Sequence, residues 1–228
     1  MNLKDKVIIV TGGARGIGRA VVSQLLDKGA VVAAAARTNE SLDKLQRELN
    51  SSSLHTFQAD VGSEEDVLQL FQDVASRCGN PHALVNNAGV GVFKPVEEMT
   101  ADDWDQQLNV NTRGAFLCAR EAFRMMKKDG GQIVNIASNL GYEVREKASA
   151  YCASKWALVG FSKTLNQEGR AYDIRVSTVS PGLVQTDFAG VSASEKSSGL
   201  HPETVARTIV QTLELQDDAG EMELILNP

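Results

Sequence analysis

The stretch Val7–Gly29, VIIVTGGARGIGRAVVSQLLDKG, sets the architecture. "VIIVTG" is a continuous apolar run, as in a strand buried on both faces. "GRAVVSQLLDKG" spaces its apolar residues near 3.6 and closes at Gly29, which predicts a helix and its stop. The same alternation runs to the other end of the chain. "AVVAAAAR", "LHTFQADV", "HALVNNAG", "GQIVNIAS" and "IRVSTVSPG" read as further strands, and "EMELILN" as a terminal one. Helical patterns lie between them. "SEEDVLQLFQDVASRCG" opens on a capping-box pattern, Ser63 to Asp66, and ends at Gly79. A long helix is predicted from a Thr100 cap through "MMKK", and Pro202 suits the first turn of a late helix. Strand and helix in alternation predict an α/β fold, a doubly wound parallel sheet of about seven strands with helices on both faces. No repeat, linker or low-complexity segment divides the 228 residues, so one domain over 1–228 is expected. "VSASEKSSG" (191–199) is the one small, polar stretch long enough for a mobile loop.

The balance of charge narrows the function. A net charge of −6 argues against nucleic-acid or acidic-membrane partners, which need concentrated Lys and Arg. Cys78, Cys118 and Cys152 are odd in number and fit neither a metal spacing nor a disulfide framework. With no secretory pattern before "KDKVIIV" and no bilayer-length apolar run, a cytoplasmic location is expected.

"TGGARGIG" (Thr11–Gly18) falls between the first strand and first helix, where a dinucleotide loop belongs in a Rossmann-type fold. Gly12, Gly16 and Gly18 permit a tight turn and close backbone approach to a pyrophosphate, with Arg15 and Ile17 inside the same loop. The second strand ends at Ala36, where an NAD site would place an acid for the adenosine ribose, and Arg37 follows. Arg15 and Arg37 suit a 2′-phosphate through charge-assisted bonds, so NADP(H) is expected over NAD(H).

In "SAYCASKWA" (149–157), Tyr151 and Lys155 lie four apart and so share one helix face. With "TGGARGIG", Asp60-Val61, "NNAG" (Asn86–Gly89), Asn111 in "NVNTRG", Ser138 in "NIAS", "YCASK" and "PGLVQT" (Pro181–Thr186), the chain resembles a single-domain short-chain dehydrogenase/reductase over nearly its whole length. The resemblance implies a proton role for Tyr151 at the carbonyl or alcohol oxygen. It implies that Ser138 stabilises charge on that oxygen, that Lys155 holds the nicotinamide ribose, and that Asn111 interrupts its helix and holds a water leading to Lys155. By the same resemblance Asp60 and Val61 meet the adenine. Asn86, Ala88 and Gly89 line the nicotinamide ribose, and Pro181, Gly182, Val184 and Thr186 wrap the carboxamide; Asn87 could instead tie strands together. A phenol ionises near pH 10, and a neighbouring ammonium is expected to lower that value.

The substrate expected is a small or medium ketone, making the protein an NADPH-dependent carbonyl reductase. The alternatives are a 3-oxoacyl-[acyl-carrier-protein] or acyl-thioester reductase and, from another class, a catalytically silent NADP-sensing protein. Phe93, Leu140, Tyr142, Val144, Gln185 and Phe188 are candidate lining residues, on loops at the carboxyl ends of strands. Apolar residues such as Trp104, Phe116, Phe123, Trp156 and Phe161 on two long helices suggest pairing across a two-fold axis, and the family resemblance implies a homodimer or homotetramer.

Overall fold

The computed structural model describes residues 1–215 and 222–228. One sheet of seven parallel strands has the order β3-β2-β1-β4-β5-β6-β7. The strands are β1 (Val7–Thr11), β2 (Val31–Ala36), β3 (Leu54–Gln58), β4 (Ala83–Asn86), β5 (Gly131–Ile136), β6 (Ile174–Pro181) and β7 (Met222–Leu226). Glu221, expected to begin the last strand, lies outside the described residues. The central strands are apolar at successive positions because both faces are covered. Ile8, Val10 and Val134 pack on one side beneath helices α1 (Gly16–Asp27) and α7 (Pro202–Glu214). Ile9, Leu84 and Ile133 pack on the other beneath α3 (Glu64–Cys78), α5 (Ala115–Met126) and α6 (Ser149–Gly169). Helix α2 (Asn39–Leu49) buries Leu42 and Leu45 beside β2 and β3. Among the described residues no helix is long and apolar enough to cross a membrane.

Local signals act largely as read. Gly29 takes φ 76° just after α1, Pro202 opens α7, and Ser63 caps α3 through the Asp66 N–H. The Asp66 carboxylate does not close that box on the backbone; it accepts from the Ser63 hydroxyl and the Asp60 N–H, fixing the chain just after β3. The long helix is interrupted in its middle, at Asn111, as the family resemblance implies. Helix α4 (Ala101–Leu108), with a complete Thr100–Asp103 capping box, runs into a π-helical turn over Asn109–Gly114 before α5 begins. Such turns carry one extra residue and concentrate at functional sites.

Candidate active site

The chain winds outward in opposite directions from β1 and β4, so a crevice opens at their carboxyl ends, the ligand position in sheets of this kind. The glycine turn lies at its floor. Gly12 and Gly16 take φ 62° and 53°. A Cβ on Gly18 would stand 2.2 Å from the Gly12 carbonyl oxygen and 2.5 Å from Asn87 Nδ2, so only glycine fits. Helix α1 starts with no side-chain cap and no acid in its first turn, leaving its first N–H groups and positive dipole end for an anion. Thr186 closes the opposite wall: a Cβ on Gly16 would lie 3.2 Å from its Cγ2. The segment from Pro181 to Thr186 is tied down where the Gly182 N–H donates to Leu226 O (2.7 Å) and Val184 bridges to Leu200. The geometry therefore fits a bound dinucleotide.

At the ribose end Ala36 closes β2. Arg37 and Arg15 are exposed, and among the described residues neither makes an ion pair; Glu48 is taken by Arg19 and Lys44 instead. Asp60 Oδ1 accepts from the Gly62 N–H, and buried Val61 packs against Gly114 of the π turn. Two asparagines are internal ties. Asn87 Nδ2 donates to Thr11 O and Gly12 O, bracing the glycine turn. Asn86 was expected to face the ribose, but its amide is buried and donates to Ala115 O and Asn135 Oδ1. The Asn86 Nδ2 is thereby spent within the protein, whereas Ala88 and Gly89 stay in the crevice wall.

Ser138, Tyr151, Lys155 and Asn111 come together beyond β4 and β5. Ser138 follows β5, where its hydroxyl accepts from the Leu140 N–H and donates to Asn139 Oδ1, both at 3.2 Å. Tyr151 and Lys155 project from one face of α6, both buried. Lys155 Nζ donates to Ile136 O at 2.9 Å. Asn111 sits in the π turn, where its Oδ1 accepts from Val90 N–H (2.8 Å) and its Nδ2 donates to Val90 O (2.9 Å) and Ser154 Oγ (3.0 Å). Its amide thus pins the loop after β4, with Nδ2 donating twice and Oδ1 accepting once. Gly89 completes the cluster: a Cβ there would lie 3.3 Å from Asn111 Oδ1 and 3.8 Å from Lys155 Nζ.

The acidity of the phenol departs from expectation. Burial pushes Tyr151 up to about 12, against the hydrogen bond from Ser138 and the positive charge of Arg145, which pull it down. Lys155 is itself dehydrated, and burial brings it down to about 8. Its ammonium stands 5.7 Å from the Tyr151 ring centroid and bonds to a carbonyl, not to the phenol. Meanwhile Phe93 and Phe188 pack edge-on against the ring, with centroids at 5.3 and 5.9 Å. Desolvation therefore wins over the ammonium.

Of the six expected lining residues, Phe93, Leu140 and Phe188 surround Tyr151. The other three point elsewhere. Tyr142 packs with Ala115, Ala137 and Leu158, its hydroxyl beside Ser180 and Glu223. Val144 is 82% exposed. Gln185 donates to Ser197 O and Gly199 O. The segment expected to be mobile is stapled by Lys196, whose Nζ donates to Thr186 O, Phe188 O and Val191 O. One residue that the motifs did not single out stands at the mouth: the Arg145 guanidinium lies over the outer face of Phe93, 4.7 Å from its centroid. Among the described residues no group of three or more His, Cys, Asp or Glu could hold a metal ion.

A glycine turn at a topological switch, facing a buried serine, tyrosine and lysine, defines a dinucleotide-dependent oxidoreductase of the doubly wound class. The chain belongs to the short chain dehydrogenase family, whose model matches residues 6–197; it is an oxidoreductase of alcohols and carbonyls, and its family uses a nicotinamide cofactor. It is similar to an alcohol dehydrogenase of the archaeon Thermococcus sibiricus, solved by X-ray in complex with 5-hydroxy-NADP. The TM-score is 0.91 at 27% identity, covering 97% of this chain and 96% of that one. It is also similar to a D-threitol dehydrogenase of Mycolicibacterium smegmatis, 39% identical over 82% of this chain and 73% of that protein. A mouse 3-oxoacyl-[acyl-carrier-protein] reductase is 38% identical over 81% and 78%. An uncharacterized oxidoreductase of Staphylococcus aureus matches nearly end to end, 29% identical over 99% and 98%.

Proposed function

We propose that the protein is a cytoplasmic NADPH-dependent carbonyl reductase of small to medium ketones, working as one unit over 1–228. The observation that carries this reading is the convergence of Ser138, Tyr151 and Lys155 at the crevice beside three apolar side chains. The nicotinamide, when bound, supplies the hydride to the carbonyl carbon. The chain's own residues handle the oxygen. Ser138 Oγ donates to it and stabilises its developing charge. Tyr151, kept protonated by burial, gives it the proton. Lys155 carries the charge that binds ribose hydroxyls and offsets that of the phenolate left after transfer. Asn111 fixes the Val90 loop so that Gly89 leaves this space open.

Preference for NADP(H) is supported by the guanidinium groups of Arg15 and Arg37, neither in an ion pair among the described residues, and by the absence of an acid at position 36. The similar archaeal enzyme, crystallised with an NADP derivative, points the same way. Assaying a ketone panel with both cofactors tests the reading. NADPH is expected to be favoured in kcat/KM, and Arg37→Ala to lose tenfold or more with NADPH, as for a charged hydrogen bond of about 1.5–3 kcal/mol, with no loss using NADH. Preference for NADH refutes the cofactor assignment. NADPH binding without oxidation across the panel revives the silent sensor. A thioester turned over orders of magnitude faster than simple ketones moves the assignment to acyl-thioester reduction.

The protein is proposed to act as a homodimer or homotetramer through the outer faces of α5 and α6. A groove of about 350 Å³ runs there between Phe116, Phe123, Phe161 and Leu165, and Phe116 and Trp156 are exposed at 41% and 50%. Sedimentation is expected to give a multiple of the chain mass, and Phe116→Glu to lower it; a monomer at micromolar concentration refutes it.

A further inference from the structure

Resting on the carbonyl-reductase reading, we propose that Arg145 is a specificity residue that selects carbonyl substrates bearing an anionic group, of the oxo-acid class, by holding that group at the mouth of the site.

Apart from Ser138, the side chains packed around Tyr151 are apolar and aromatic: Phe93, Leu140, Phe188 and Ala148. Such a wall orients a carbon skeleton but offers no polar handle. Arg145 is the nearby exception. Its guanidinium lies 4.7 Å from the centroid of Phe93, which in turn lies 5.3 Å from the centroid of Tyr151. Phe93 is therefore in contact with both the cation and the tyrosine ring. The charge is felt at the reacting end, since it favours the ionised form of Tyr151.

The arginine is also uncommitted. Among the described residues it makes no ion pair, although Glu143 and Glu146 flank it on the same loop. Lys94, next in sequence to Phe93, is by contrast taken by Asp103 at 2.8 Å. Stacking on a ring uses the face of a guanidinium and leaves the in-plane N–H fork, the geometry that grips a carboxylate with two parallel bonds. In a chain of net charge −6, a free cation beside the catalytic pocket is a local attractor for anionic substrate. A carbonyl oxygen held by Ser138 and Tyr151 would leave a carboxylate a few bonds away to reach across Phe93 towards this fork.

The test uses the whole protein and two matched sets of probes. The first pairs 3- and 4-oxo acids with their methyl esters, with NADPH consumption as the readout. Wild type is expected to prefer each acid in kcat/KM, and Arg145→Gln to raise KM for the acids about 10- to 100-fold, as for a charged hydrogen bond, with little change in kcat and none for the esters. Arg145→Lys is expected to recover part of the loss. The second set pairs a saturated carboxylate with its primary amide, bound in the presence of NADP⁺ and followed by calorimetry. The carboxylate is expected to bind wild type more tightly than the amide, and Arg145→Gln to abolish that difference. Equal handling of acid and ester by wild type, or an equal loss for both in the variant, overturns the proposal and identifies Arg145 as a packing cover for Phe93. Carboxylate discrimination without turnover of any carbonyl supports the arginine site and refutes the reductase reading; turnover without discrimination does the reverse.

Discussion

Tyr151→Phe is expected to lower turnover by about 10²- to 10⁴-fold, the usual contribution of a positioned acid or base, with dinucleotide affinity unchanged. The substitution removes one oxygen and keeps the ring. The edge-on packing with Phe93 and Phe188 survives, and so does the shape of the pocket. What is lost is the proton at the end of the Ser138–Tyr151 pair. Single-turnover oxidation of NADPH measures the chemistry, and fluorescence titration measures binding. Near-normal turnover in the variant would remove Tyr151 from the mechanism. The pH profile of the wild type gives the assignment a second handle. A phenol raised to about 12 is protonated throughout the neutral range, so carbonyl reduction is expected to be flat below pH 8. Alcohol oxidation needs the phenolate and is expected to climb as pH rises. The first group to discharge on the alkaline side is Lys155, at about 8, so reduction is expected to fall above that point.

Lys155→Met is expected to reduce kcat/KM by about ten- to hundredfold or more, since charged hydrogen bonds of about 1.5–3 kcal/mol each are lost. It is also expected to remove the decline in reduction above pH 8. Its effect on stability is expected to be small, because two costs oppose each other. Burying the ammonium lowers its pKa from 10.5 to about 8, a penalty of ~3 kcal/mol at about 1.4 kcal/mol per pH unit. Methionine escapes that penalty but leaves Ile136 O without its donor, at about 1–3 kcal/mol. The pH dependence separates the two. Between about 8 and 10.5 the unfolded wild-type chain still holds the lysine proton that the native state has released, so native stability rises with pH across that window. Below 8 both states are protonated and the penalty is fully present. Thermal melts at pH 7 and 9.5 are expected to show this gain in wild type and not in Lys155→Met. Equal pH dependence in the two proteins would mean that the ammonium is not desolvated.

The archaeal, mycobacterial and mouse relatives share the frame without agreeing on a substrate, as expected where the fold fixes the cofactor side and loops fix the other. Here those loops put aromatic rings on Tyr151 and a cation against one of them.

The sheet, its parallel sense, the glycine turn and the Tyr151–Lys155 face were legible in the amino-acid sequence because each depends on local spacing. Apolar runs report burial on both faces of a strand, and a helix brings residues four apart onto one side. Other features arose from partners distant in the chain. The π turn at Asn109–Gly114 is held where Asn111 grips Val90, 21 residues away, and nothing in "LNVNTRG" marks that grip. Asn86 is spent on Ala115 and Asn135, and Tyr142 turns towards β6 and β7, because strand pairing and helix packing decide which way those side chains face. The phenol's acidity belongs to the same group: spacing places an ammonium one helical turn away, but the rings of Phe93 and Phe188 exclude the water that would have solvated the charged form. Sequence determined which groups share a face; tertiary packing decided how they ionise and what they meet, because desolvation depends on everything that surrounds a group and not on its neighbours along the chain.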